Sequence, residues 1–327
     1  MSNLNVHPIY VSNGFQIYTR PLERYMNFVL SNINEDHHGS VGEGPGRCGK
    51  TSIQRYLCNH QAQWLQNVVG GGIAARLIMP SGVRKSDGAF YASMGDALQL
   101  TASDRPGGSF KKDRIINYVL NRCGAAGVNL MVLFVDNAQN ISLAELDYLC
   151  GIDDVLDENG VRLFVALMRQ SDASGMDVST ALTAYPSHIV GRFMLGTHRV
   201  TGLRGFPEVA HGLQRYQHSN FWPAESDNSF LANFAPAAVA DGYEFDSQTP
   251  MIMEVVRDIR VAAGLSPEND WPMKTFTSMV KFLLCNVAGR DPAFRSFHPE
   301  HIRAAIQASG YLQLEYAHAG LLGRNAA

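Results

Sequence analysis

"GEGPGRCGKTS", residues 42–52, decides the fold. Gly44, Gly46 and Gly49, with Pro45 among them, break regular structure, and a helical pattern begins directly afterwards. The spacing Gly44-x4-Gly49-Lys50-Thr51 is that of a phosphate-binding loop. A triphosphate carries dense negative charge, so successive backbone N–H groups must point at it. Glycines allow the backbone to curl and approach without Cβ clashes, and the positive end of the following helix adds to the attraction. On this reading Gly44, Pro45, Gly46, Arg47, Cys48, Gly49, Lys50, Thr51 and Ser52 cradle ATP. Lys50 reaches the β- and γ-phosphates, and the Thr51 hydroxyl completes a Mg²⁺ shell. Cys48 is read as a small filler.

Outward from the loop, apolar spacing predicts alternating strands and helices. Leu22, Tyr25, Met26, Val29 and Ile33 make one stripe of a helix over 21–33, and a short extended piece, 39–42, leads into the loop. Ile53, Tyr56, Leu57, Trp64 and Leu65 form the face of the helix after it. A strand over 73–79 ends at Pro80, and helices are expected over 90–100 and 113–122. LMVLFVD, 130–136, is the strongest strand signal in the chain, because a continuous apolar run suits a strand buried on both faces of a parallel sheet. A helix over 143–157, a strand VRLFVALM over 161–168, a helical stretch ending near Phe193 and an edge strand over 194–203 complete the pattern. Strands separated by helices mean an α/β fold with a parallel sheet. Beyond about residue 206 only helical spacing continues, at 251–263, 276–287 and 299–309. The expected domains are therefore 1–205, the sheet domain with its N-terminal segment, and 206–327, a helical lid. The stretch FWPAESDNSFLANFAPAAVADGYEFDSQTP, 221–250, reads as loop-rich.

Asp136 closes the apolar run, so it emerges at the carboxyl edge of the sheet, where ligands bind in open α/β folds. Its expected role is to hold Mg²⁺ opposite Thr51. Asn137 follows it. Many ATPases of this type carry Glu there to polarise the attacking water, whereas an amide orients water without taking its proton. Slow turnover is expected unless another acid serves, and Glu145 and Asp147 are the nearest in sequence.

Composition narrows the setting. Of 327 residues 46% are hydrophobic and 17% charged, with a net charge of −3. A chain that coats nucleic acid by charge alone is usually basic, so any DNA contact must come from a local patch. Five cysteines without a CxxC pair argue for a reducing cytoplasm and against a disulfide frame or a zinc site. No run of 18 uncharged apolar residues suggests a membrane span, and the N-terminus shows no secretory signal. The 11 histidines show no metal-ligand spacing, and His37-His38 is read as a loop pair.

Pro80…Phe90-Tyr91-Ala92-Ser93-Met94, then LFVDNAQNIS, then VRLFVALM, then Arg192-Phe193, resembles the TnsC/TniB group of transposition ATPases, members of the AAA+ class. The match covers residues 15–205 well and the helical region loosely, and Asn137 departs from the family's usual Glu. The resemblance implies an ATPase that forms an oligomeric ring or filament on double-stranded DNA and links a target-selector protein to a transposase, in some cases within CRISPR-associated transposons. It also implies roles for individual residues. Arg192, with Arg199 and Arg204 as competitors, would be the arginine finger that stabilises charge on a neighbouring subunit's phosphate. Gln170 would occupy a sensor position, and Lys274, with Arg303 as competitor, would be the lid's phosphate sensor. Arg84-Lys85 and Lys111-Lys112, the latter with Arg114 nearby, are basic patches that would track DNA phosphates. The competing reading is an AAA+ or STAND-like NTPase switch that acts on protein partners without DNA.

Overall fold

Three glycines make Gly39–Gly44 the least strand-like of the strands by composition, yet this segment is β1 and lies inside the sheet. The computed structural model describes residues 7–82, 86–101, 107–171 and 184–321. Within them β1, β2 (Ile73–Ile78), β3 (Leu130–Asp136), β4 (Arg162–Gln170) and β5 (Gly196–Arg199) form one sheet in the order β2-β3-β4-β1-β5, with every neighbouring pair parallel. β3 is buried along its whole length, as its unbroken apolar run requires. β1 needs its glycines for packing. A Cβ on Gly42 would lie 2.8 Å from the Tyr25 ring and 2.9 Å from the Met168 sulfur, so the bare backbone lets the helix over 20–34 close onto the sheet.

Helices cover both faces of the sheet. On one side lie α1 (Arg20–Asn34) and α2 (Lys50–Asn59). Tyr25, Val29 and Ile33 of α1 and Ile53 and Leu57 of α2 are buried, as the helical stripes predict. On the other side α3 (Asp87–Ala97), α4 (Gly108–Ala126), α5 (Leu143–Glu158) and α6 (Ser187–Phe193) pack Phe90, Met94, Ile115, Val119, Leu149 and Phe193 against Leu77, Leu133, Val135 and Leu167. α3 begins earlier than the apolar spacing suggests, because the Ser86 hydroxyl accepts the Ala89 N–H at 3.2 Å and caps it. α4 is longer at both ends than its apolar stripe, and β5 is much shorter than the strand expected over 194–203.

The chain divides into two compact units. The sheet unit holds 24–46 and 50–200. The helical unit holds 201–321 together with 7–23 and loop residues 47–49, counting described residues. α7 (Gly205–His218), α8 (Thr249–Ala262), α9 (Met273–Phe282), α10 (Pro299–Ala308) and α11 (Tyr311–His318) enclose a core that includes Leu213, Tyr216, Phe245, Phe276 and Ile302. The segment 221–250, expected to be loop-rich, carries two short helices, Phe230–Phe234 and Pro236–Ala240, which add Phe230, Leu231, Phe234 and Ala238 to this core.

The N-terminal His7 sits fully buried among Trp222, Phe230 and Phe234, at ring distances of 4.3–5.0 Å. Its Nδ1 accepts the Ile9 N–H at 3.1 Å, and burial lowers its pKa to about 4. The folded unit thus favours the neutral ring. Stability is fully present above the ordinary histidine range and is lost as pH falls from about 6.5 towards about 4. Unfolding titrations across that window should show an acid loss of about 2 kcal/mol, after allowance for solvent screening, that His7→Phe removes. Equal pH slopes for both proteins would show that His7 does not titrate between the folded and unfolded states.

Candidate functional site

β1 ends at Gly44, and the chain crosses Pro45–Gly49 before α2 begins at Lys50. The backbone there enters the positive-φ region twice, once at a glycine and once at an arginine. Gly49 has φ +114°, and Arg47 has φ +64°. Cys48 is buried, as a small filler should be. The first turn of α2 presents Lys50, Thr51 and Ser52 at the carboxyl edge of the sheet, and Thr51 and Ser52 are exposed. The Lys50 ammonium donates to the carbonyls of Gly44 (2.7 Å) and Pro45 (2.6 Å), so it lies along the loop.

Asp136 ends β3, two strands away with β4 between. Thr51 bridges that distance: its hydroxyl donates to Asp136 Oδ2 at 2.9 Å. Asp136 is 3% exposed. Its other oxygen, Oδ1, accepts the Asn137 N–H at 3.0 Å. Arg76 of β2 also donates to Oδ2, at 3.2 Å. Gln170, at the end of β4, falls between the two. A Cβ placed on Gly46 would stand 3.7 Å from its side-chain amide, and its N–H donates to the Gln139 side chain at 3.1 Å. The ends of three strands therefore bring Gly44, Gly46, Lys50, Thr51, Asp136, Asn137 and Gln170 together.

Asn137 is exposed and adopts the left-handed conformation, φ 55° and ψ 41°, which asparagine tolerates better than most residues. Glu145 is not placed to act as a base. It is 4% exposed and accepts the backbone N–H (2.8 Å) and hydroxyl (2.9 Å) of Ser142, closing the capping box that starts α5. Asp147 also lies on α5, exposed, 3.2 Å from His188.

Arg192, at the end of α6, is engaged within its own chain. It pairs with Asp154 at 2.5 Å, approaches Asp153 at 3.5 Å and donates to the Cys150 carbonyl at 3.2 Å, all on α5. Asp153 is buried and also holds His38 at 2.9 Å, a hydrogen bond that raises the imidazole pKa above its ordinary value. Lys274 is exposed at the start of α9, and its N–H donates to the Arg47 carbonyl at 3.2 Å, which anchors it beside the loop. Of the basic patches, Lys111 donates to the Gly88 carbonyl at 3.3 Å, and a Cβ on Gly151 would lie 3.0 Å from the Lys112 ammonium. Both lysines are half-buried against neighbouring helices. Arg84 and Lys85 lie outside the described residues.

Arg76 and Gln139 are the site residues that the sequence reading missed. A signal existed for Arg76: it is the one charge inside the strand IAARLI, and it stands two residues before Ile78, the residue in register with Asp136.

No protein-family model matches the chain, and no curated protein matches it significantly. Solved structures do. The ORC2 protein of Aeropyrum pernix, solved as ADPNP–ADP complexes, is 10% identical with a TM-score of 0.54, covering 93% of this chain and 71% of its own. The A. pernix ORC1 protein, solved in complex with DNA, is 9% identical with a TM-score of 0.52, covering 91% and 67%. Among the described residues no helix is long and apolar enough to cross a membrane. The parallel sheet between helical layers, the loop at the end of β1 and the helical C-terminal unit give this chain the fold shared by these ORC proteins.

Proposed function

We propose that this chain binds ATP and a divalent cation at residues 44–52, hydrolyses the nucleotide slowly, and in its ATP form assembles into a ring or filament on double-stranded DNA, where it links a target-site selector to a transposase. The nucleotide part rests on one observation, the Thr51–Asp136 hydrogen bond across β4 at the mouth of a glycine loop. A hydroxyl and a carboxylate held together at a helix N-terminus are the oxygen donors that Mg²⁺ prefers, so the residues present fit the metal. Thr51 and Asp136 would hold it, and when bound it neutralises charge on the β- and γ-phosphates. Lys50 turns from its loop carbonyls to the phosphates, Gln170 lies beside Gly46 within reach of the terminal phosphate, and Asn137 orients water. Lys274 is the proposed sensor from the helical unit. The DNA part is supported by the fold shared with a protein solved on DNA, and the transposition part by the sequence resemblance.

Electron microscopy of the full chain with ATP, with and without duplex DNA, tests the assembly. Ordered oligomers that require both ATP and DNA support it, and monomers under every condition overturn it. Oligomers that form equally without DNA favour the competing reading, a switch acting on protein partners. That reading has its own support, because Lys111 and Lys112 are turned onto neighbouring helices of their own chain.

Arg192 is proposed as the finger that meets the phosphate of a neighbouring subunit. To act there it must leave Asp154. Asp154→Asn should therefore tighten ATP-dependent assembly by several fold, whereas Arg192→Ala weakens it by about tenfold with the ATP affinity of dilute monomer unchanged. A purely structural Arg192 predicts weaker assembly in both variants, together with loss of thermal stability.

A further inference from the structure

Asp136 already has a cation. Its carboxylate is buried, and the charge it carries must be compensated within the protein. The Arg76 guanidinium supplies that compensation at 3.2 Å, from a side chain that is itself 17% exposed. The placement is built into the sheet. Arg76 is in register with Phe134 and Ile78 with Asp136, so Arg76 and Asp136 share one face on adjacent strands, offset by two residues. A long side chain spans that diagonal. With the Asn137 N–H on Oδ1, Arg76 joins Thr51 as a second donor on Oδ2, so both carboxylate oxygens are engaged and the positive partner is the guanidinium.

We propose that Arg76 is an internal counter-cation that takes the place of Mg²⁺ at Asp136, so that the loop holds nucleotide with little dependence on metal. The proposal rests on the nucleotide site described above and deepens it. Arg55, from α2, adds a second guanidinium that senses both Asp136 and Arg76; burial and the Arg76 charge both push its pKa down. Lys50 along the loop and Arg76 on Asp136 place two positive charges at this edge of the sheet, against the Asp136 carboxylate between them. An incoming triphosphate therefore meets net positive charge before any metal arrives. Metal and Arg76 compete for one carboxylate, so each lowers the affinity for the other by a single, reciprocal factor. A nucleotide-loaded, metal-poor state is the consequence, and metal loading becomes the step that frees Arg76.

Titration of the full-length protein with ATP, once in magnesium and once in EDTA, measures this factor directly. The wild-type dissociation constants should agree within about threefold. Arg76→Met should weaken binding in EDTA by about tenfold or more while leaving binding in magnesium almost unchanged, and Arg76→Lys should restore much of the EDTA affinity. Mn²⁺ binding to the ATP-loaded protein, followed by electron paramagnetic resonance, should tighten by about tenfold in Arg76→Met. A wild-type protein that binds ATP only with magnesium overturns the proposal and leaves the nucleotide site standing, and this measurement needs no variant to fold. An unchanged magnesium-to-EDTA ratio in Arg76→Met also overturns it, as a merely structural arginine would alter thermal stability alone. Absence of ATP binding in both buffers overturns the nucleotide site and the proposal together.

Discussion

Lys50→Ala should lower ATP affinity by about 100-fold, a loss of ~2.7 kcal/mol, and abolish nucleotide-dependent assembly. The ammonium is half-buried at the start of α2, tethered to the carbonyls of Gly44 and Pro45 within the loop that would face the phosphates. Swinging away from these carbonyls lets it form charge-assisted hydrogen bonds with the β- and γ-phosphates, which are roughly twice as strong as neutral ones. Truncation removes those bonds and leaves two loop carbonyls to water, so the fold survives at a cost of ~1 kcal/mol. Calorimetric titration with ATP, with circular dichroism as the folding control, reads both effects. Affinity retained within about threefold would mean that phosphates do not bind in this loop.

Asn137→Glu should speed ATP hydrolysis by about 100-fold from a wild-type rate well below the usual ~1–10³ s⁻¹ of enzymes. On the proposed reading Asp136 is the carboxylate that would hold the metal, and none of the described acids named above serves as base. Asp136 is occupied on both oxygens, Glu145 is locked into the cap of α5, and Asn137 presents an amide to solvent. A carboxylate at 137 adds the missing proton acceptor. It also brings a conformational penalty, since glutamate in the left-handed region that Asn137 occupies costs ~1 kcal/mol. The variant should thus be faster and slightly less stable, and its ATP-dependent assemblies shorter-lived. Steady-state phosphate release and a thermal melt on both proteins check the pair of effects. Brisk turnover by the wild type would show that another group serves as base and that the amide at 137 is no impediment.

The meeting of the glycine loop with Asp136 could be anticipated from the sequence because these residues follow rules of local chemistry. Gly44, Gly49, Lys50 and Thr51 keep a fixed spacing, and Asp136 ends a run whose apolar character has only one structural use. β1 was harder to read. Its glycines carry no strand signal, and the pairing partners that make it a strand lie far along the chain. The segment 221–250 looks polar and broken, yet Phe230, Leu231 and Phe234 are buried in a core assembled from distant helices. Arg76 shows the same limit from another side. An arginine within an apolar strand signals a partner, but the register of β2 on β3 is needed to name that partner as Asp136. Likewise, Ser142 and Glu145 carry the spacing of a capping box, and that spacing outweighs the catalytic reading of Glu145.

The strand order has a consequence for the birth of the protein. β1 pairs Gly39 with Val165 and Ser40 with Gly196, so the strand that carries the loop stays without neighbours until β4 and β5 have been synthesised. At ribosomal speeds of ~5–20 residues per second, the interval lasts on the order of 10 s. During it α1 lacks the completed sheet, and β3 emerges with β2 alone beside it, its other edge uncovered. Non-local parallel pairing of this kind forms slowly and leaves sticky intermediates exposed. Nascent chains halted before residue 165 should therefore be captured by trigger-type chaperones and cut readily by protease, while chains released after β5 resist both. Slower translation at low temperature or added chaperone should raise the soluble yield more than any change to the surface of the finished molecule.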